Sequence, residues 1–152
     1  MTTLGVNAAG ESAYLSFVDG DDLQDLEPYI LTAPKGLTPE EAVVALRDDM
    51  RKILSMHGVT KLRLLNPESS YSPAYVSIVG RCTLETIIIF AGAELGVDAA
   101  RIQRSTVRTI LGLPKKGTLS SHVPHVVEAL GRHWSPQKRD VAALAALAGA
   151  RG

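Results

Sequence analysis

The chain holds a single cysteine, Cys82, which excludes an internal disulfide and a multi-cysteine zinc site. It falls in an apolar helical pattern, where a buried structural thiol is expected rather than a nucleophile. Aromatic residues are scarce, at 5% of 152 positions, yet the hydrophobic share of 45% is that of a folded α/β domain and not of a disordered chain. An excess of charge is also missing, because sixteen basic and sixteen acidic side chains cancel. No whole-molecule field therefore draws the chain toward nucleic acid or an anionic membrane, and any such binding needs a local patch. Long hydrophobic runs are absent: the stretch Ile87–Ala91 is too short and too flanked by charge to span a bilayer. The N-terminus has no basic segment leading into an apolar one, so no signal peptide is expected and the predicted location is cytoplasmic.

What is present is a regular alternation of short strands and helices, in one domain over 1–152. Thr2–Val6 and Ser12–Val18 read as a hairpin around Ala8–Gly10, and Pro28–Thr32 as a third strand of an antiparallel meander. Between them the acidic run Asp19-Gly20-Asp21-Asp22 reads as a loop; it lacks the remaining ligand positions of a calcium loop. Thr38, Pro39 and Glu41 mark a helix start with a capping box, and Val43, Leu46, Met50, Ile53 and Leu54 follow at helical spacing. Lys61–Leu65 is a fourth strand, broken by Asn66-Pro67. A second helix runs from Ser72-Pro73 to about Leu95 with apolar residues nearly all round it, so it is expected to be buried on several sides, in the core or against another subunit. Arg101–Gln103 reads as a short fifth strand, followed by helices over Thr106–Leu111, His122–Trp134 and Pro136–Ala148. The order β-β-β-α-β-α-β followed by helices gives a mixed five-stranded α/β sheet, three antiparallel strands and then parallel ones, flanked by helices.

Several motifs are weaker than they look. His122 and His125 stand three apart as a zinc pair can, but Pro124 lies between them and no glutamate accompanies them, so first-turn polar residues are the expectation. Gly112 and Gly117 are spaced as in a phosphate loop, but Thr118-Leu119 follows where lysine and a hydroxyl residue are required. Arg81 and Glu85 sit four apart on the second helix and read as a surface ion pair or a subunit contact, with a displaced catalytic glutamate as the alternative. A stronger signal is basic: Arg101, Arg104, Arg108, Lys115 and Lys116 concentrate positive charge in an otherwise neutral chain, and Lys138 and Arg139 follow near the C-terminus. Such side chains can hold phosphates in salt-sensitive, sequence-independent binding, or simply decorate a solvated loop and helix ends.

The segments Leu4-Gly5-Val6-Asn7-Ala8-Ala9-Gly10, Arg104–Gly112 with Lys115-Lys116-Gly117, and Lys138–Ala145 together resemble, in order, three motif regions of the RuvC-type Holliday-junction resolvases, members of the ribonuclease-H-like superfamily. The resemblance implies that fold, a metal-bearing acidic site and a homodimer through the helix over about 73–95. It also implies where the acidic residues should stand. The first-strand aspartate is Asn7 here, the fourth-strand glutamate falls near Leu65 or Asn66 with Glu68 just beyond Pro67, the first C-terminal aspartate is kept as Asp140, and the second is Ala143. A two-metal site needs several anionic oxygens around each hard dication, and an amide does not offset metal charge. The resulting expectation is a catalytically degenerate RuvC-like domain that uses no cofactor and binds nucleic acid, branched or double-stranded, or a protein partner without cutting. Two alternatives stay open. One is a Mg²⁺-dependent structure-selective endonuclease acting through Asn7, Glu68 and Asp140; the other is a scaffold that faces only proteins.

Overall fold

The computed structural model describes residues 1–68, 71–128 and 137–152. Strands β1 (Thr2–Ala9) and β2 (Ser12–Asp19) form the expected hairpin, with Asn7 opposite Tyr14 and Gly10 supplying the left-handed turn at φ 64°. β3 (Asp22–Gln24) and β4 (Ile30–Thr32) both pair with the outer edge of β2, at its two ends. β5 (Val59–Leu65) lies parallel to β1, and β6 (Asp98–Ile102) parallel to β5. The sheet order is β3-β2-β1-β5-β6, with β4 as the sixth strand.

The mixed architecture matches the sequence expectation, with two differences in detail. The acidic run is a turn only at its centre: Asp22 opens β3, because Leu23 is buried opposite Val18 and anchors three residues of pairing. The last strand starts three residues before Arg101–Gln103 and ends one residue before that segment does, since Ala99 and Ala100 pair with β5 although neither has the side chain of a typical strand former.

Helix α1 (Pro39–Met56) begins as the sequence dictates. Thr38 Oγ1 accepts from the Glu41 amide at 3.2 Å, and the Thr38 amide donates to the Glu41 carboxylate at 3.4 Å. α1 and α2 (Tyr75–Glu94) cover one face of the sheet, burying Leu4, Val6 and Ala8 of β1 with Met50, Ile53, Leu84, Ile87 and Ile88. α2 is long and apolar enough, by length and composition, to cross a bilayer, which the run Ile87–Ala91 alone did not suggest; its inner face is nevertheless part of this core. The opposite face carries Tyr75, Val79, Cys82 and Phe90 and is exposed. Cys82 is therefore a surface thiol, not a buried one: a helix apolar all round does not announce which side turns inward.

α3 (Arg104–Leu111) and α4 (Gln137–Arg151) cover the other face. β1 presents Thr3, Gly5 and Asn7 to α4, and the helix answers with alanine, Val141 to Ala148 being buried throughout. Gly5 makes this approach close. A Cβ there would collide with the Ala142 carbonyl oxygen and lie 2.5 Å from the Ala146 amide nitrogen. α4 thus runs directly along β1, with its first turn over the strand's carboxyl end. Of the helix expected over His122–Trp134, the described part is a 3₁₀ turn (Leu119–His122) followed by a π turn (Pro124–Glu128); 129–134 lie outside the described residues, as does Pro136.

Candidate nucleic-acid interface

The parallel strands β1, β5 and β6 all end on one edge of the sheet, and chain leaving such ends is where open α/β sheets build their sites. Asn7 lies near the end of β1, Asn66 and Glu68 just past β5, and Arg104 two residues past β6. The first turn of α4 closes the fourth side. There the Asn7 amide nitrogen donates to the Lys138 carbonyl at 3.0 Å, and Ser16 Oγ donates to the Arg139 carbonyl at 2.7 Å. These two bonds tie the first helical turn to β1 and β2.

The result is an open cleft of about 430 Å³, whose lining includes Asn7, Glu68, Tyr71, Arg81, Arg104, Ser120 and Lys138. Arg104 is its most constrained cation. Nε donates to the Asn66 carbonyl at 2.8 Å and Nη1 to the Glu68 carboxylate at 3.0 Å. Burial lowers the Arg104 pKa from its ordinary value; Glu68 opposes the shift while Arg81 and Arg108 add repulsion. An arginine stays charged through such a shift, so the cleft floor carries a partly desolvated cation.

Arg81 and Glu85 correct the sequence reading. They are not on the surface: Arg81 is 8% and Glu85 2% exposed. Their nearest atoms are 3.6 Å apart, and Arg101 reaches the other Glu85 oxygen at 3.3 Å. The signal was available, since Arg81 and Glu85 are the only charges from Tyr75 to Ala93. Two charges alone in an apolar helix mark an inward polar site more readily than an ordinary surface pair.

The other basic residues divide by role. Lys138 is exposed on the cleft and stands 5.7 Å from the Tyr14 ring. Arg108 is structural, donating to the carbonyls of Pro114 at 2.8 Å and Gly117 at 2.6 Å, and so holds the loop that displays Lys115 and Lys116 to solvent. His122 Nε2 lies 2.7 Å from the Lys116 carbonyl, which gives it a structural task in the same loop. Arg139 is buried beneath Tyr29 and donates to the Leu26 carbonyl at 3.1 Å. Arg101 belongs with Glu85, outside the cleft lining.

The donor set does not fit a pair of divalent metal ions. Asn7 is neutral and its amide is engaged, Glu68 is ion-paired to Arg104, and Asp140, 1% exposed, is not part of the cleft lining. Among the described residues, no group of three or more His, Cys, Asp or Glu side chains is placed to hold a metal ion. Asn7 is a fitted structural residue, held by its own hydrogen bond to the helix. Asn7→Asp would set an anionic oxygen against the Lys138 carbonyl, with an expected loss of about 1–3 kcal/mol in urea unfolding.

No protein-family model and no curated protein matches the sequence. Solved structures do match in shape. Thermus thermophilus RuvC in complex with Holliday junction substrate superposes with a TM-score of 0.74 at 15% identity, over 97% of this chain and 91% of that one. A second structure of Thermus thermophilus RuvC gives 0.76 at 13% identity, over 97% and 92%. The yeast mitochondrial Holliday junction resolvase Ydc2 gives 0.64 at 12% identity, over 98% and 77%. Together with the strand order and the helices on both faces, these matches establish that the chain has the ribonuclease-H-like fold of the RuvC-type resolvases.

Proposed function

We propose that this chain is a catalytically degenerate RuvC-like domain that binds branched or double-stranded nucleic acid without cleaving it. The observation that carries this reading is the charge of the cleft at the carboxyl ends of the strands. Its lining brings Arg81, Arg104 and Lys138 together with one carboxylate, Glu68; Arg104 pairs with Glu68, Arg81 stands 3.6 Å from the buried Glu85, and Lys138 is exposed. Such a surface receives phosphate oxygens and repels divalent cations. Lys115 and Lys116, on the loop held by Arg108, extend the positive surface. A resolvase solved in complex with its Holliday junction substrate shares the fold, which favours nucleic acid over a purely protein-facing scaffold. The test is binding of a labelled four-way junction across a salt series, with strand integrity followed in Mg²⁺ or Mn²⁺. Bound and uncut DNA supports the reading, and failure to bind at low salt removes it.

The domain acts as a homodimer through α2 in this reading. Tyr75, Val79 and Phe90 are 79%, 45% and 53% exposed along one helix face, with Cys82 among them, and contiguous apolar surface of this kind marks an interaction site. Val79→Glu combined with Phe90→Glu is expected to convert a dimer into a monomer in sedimentation equilibrium. A wild-type monomer at tens of micromolar would remove the dimer from the account.

A further inference from the structure

The ion pair between Arg104 and Glu68 lies in the cleft, and its two members are not held alike. The Arg104 side chain is 16% exposed, and its Nε donates to the Asn66 carbonyl at 2.8 Å, so the guanidinium is fixed on the cleft floor without help from Glu68. The Glu68 side chain is 35% exposed, and among the described residues its carboxylate has one hydrogen bond, the 3.0 Å contact from Arg104 Nη1. The main chain of Glu68 is pinned, because Pro67 precedes it and its carbonyl accepts the Tyr71 amide at 2.9 Å. The freedom in this pair therefore belongs to the Glu68 side chain, which can turn into water while Arg104 stays in place. The forces on Arg104 point the same way. Burial disfavours its charge, Arg81 and Arg108 repel it, and Glu68 supports it. A partly buried cation needs an anion beside it, and Glu68 supplies one when no ligand does.

We infer that Glu68 is a built-in stand-in for a backbone phosphate: it holds the place beside Arg104 until a phosphate of a nucleic-acid strand displaces it, and so selects strands over small anions. This deepens the reading of the cleft as a phosphate-binding surface and rests on it. A phosphate that takes the place of Glu68 exchanges one charge-assisted hydrogen bond for another, so the exchange by itself yields little. Net attraction has to come from neighbouring cations engaged at the same time. Lys138 is exposed on the same cleft, and Lys115 and Lys116 stand on the loop held by Arg108. A strand presents several phosphates at once and can use all of these, whereas an isolated phosphate gains too little to open the pair. Glu68 would in this way set the threshold for entry to the cleft.

Two substitutions separate this contact from a general effect of charge. Glu68→Gln removes the negative charge. Glu68→Asp keeps it but draws it back by one methylene from an arginine that the Asn66 bond prevents from following. The side chain is 35% exposed, so both variants are expected to fold. With a labelled four-way junction at fixed salt, each should bind about 2- to 5-fold more tightly than the wild type, the range for releasing a partly exposed ion pair. The salt slope should stay that of the wild type, because the same number of phosphates is held. In the wild type, the carboxyl-carbon resonance of Glu68, assigned by its loss in Glu68→Gln, should move when junction is added. Inorganic phosphate at the same ionic strength should leave it in place. Tighter binding in Glu68→Gln with none in Glu68→Asp would show repulsion alone and overturn the inference. An unmoved resonance, or one moved equally by inorganic phosphate, overturns it as well. In each of these cases junction binding by the wild type leaves the proposed function standing. Junction binding by the two variants but not by the wild type supports the inference and removes the proposed function, and binding by none of the three removes both.

Discussion

Gly5→Val is expected to destabilise the protein by about 3 kcal/mol or more, the upper range for overpacking a core. The cause is backbone against backbone. The added Cβ would overlap the Ala142 carbonyl oxygen and stand 2.5 Å from the Ala146 amide nitrogen, and neither is the end of a flexible side chain that can swing away. α4 would have to lift from β1. Because the first turn of the same helix carries Lys138 to the cleft and receives the Asn7 and Ser16 bonds, the displacement would disturb the site as well as the core. For a domain of this length the loss corresponds to a fall in melting temperature of about 6–12 °C. Thermal unfolding followed by circular dichroism checks it; a fall of under a degree or two would show that α4 does not press on β1 as described.

Arg104→Gln with Lys138→Gln should reduce junction affinity about 10- to 100-fold at moderate salt, since each removes a charge-assisted phosphate contact. The salt dependence is the sharper readout. Each lost phosphate contact takes about one unit from the slope of log affinity against log salt, so the double variant should be shallower by about two. Glu68 is left without Arg104, but its side chain is 35% exposed, so water can take over its hydration and the fold should survive. Arg139→Gln makes the contrast. That side chain is buried beneath Tyr29 and bound to the Leu26 carbonyl, so it should lower stability while leaving the salt slope unchanged.

Much of the scaffold was legible because local chemistry and tertiary packing agree. The Thr38–Glu41 cap, the hairpin around Ala8–Gly10 and the helical spacing of Leu46, Met50, Ile53 and Leu54 each state their role in residue type alone. The short β3 was not legible, since three residues held by one buried leucine carry too little pattern. The cleft was half visible. Asn7 came from the resemblance and Arg104 from the basic run, but adjacency in sequence does not tell which cation faces which surface. Arg108 and Arg139 turned out to tie backbone carbonyls, while Arg81, hidden in an apolar helix, turned out to line the cleft. Periodicity assigns a face only when the other face is polar, and α2 offered no such contrast; the same ambiguity misplaced Cys82.

The central claim is that the site binds a junction without cutting it, and one measurement bears on it directly. The purified chain is mixed with an end-labelled four-way junction in Mg²⁺ or Mn²⁺, and the same samples are run on native and denaturing gels. The account predicts a retarded complex whose strands remain full length. Strand cleavage that Asp140→Asn abolishes would contradict it.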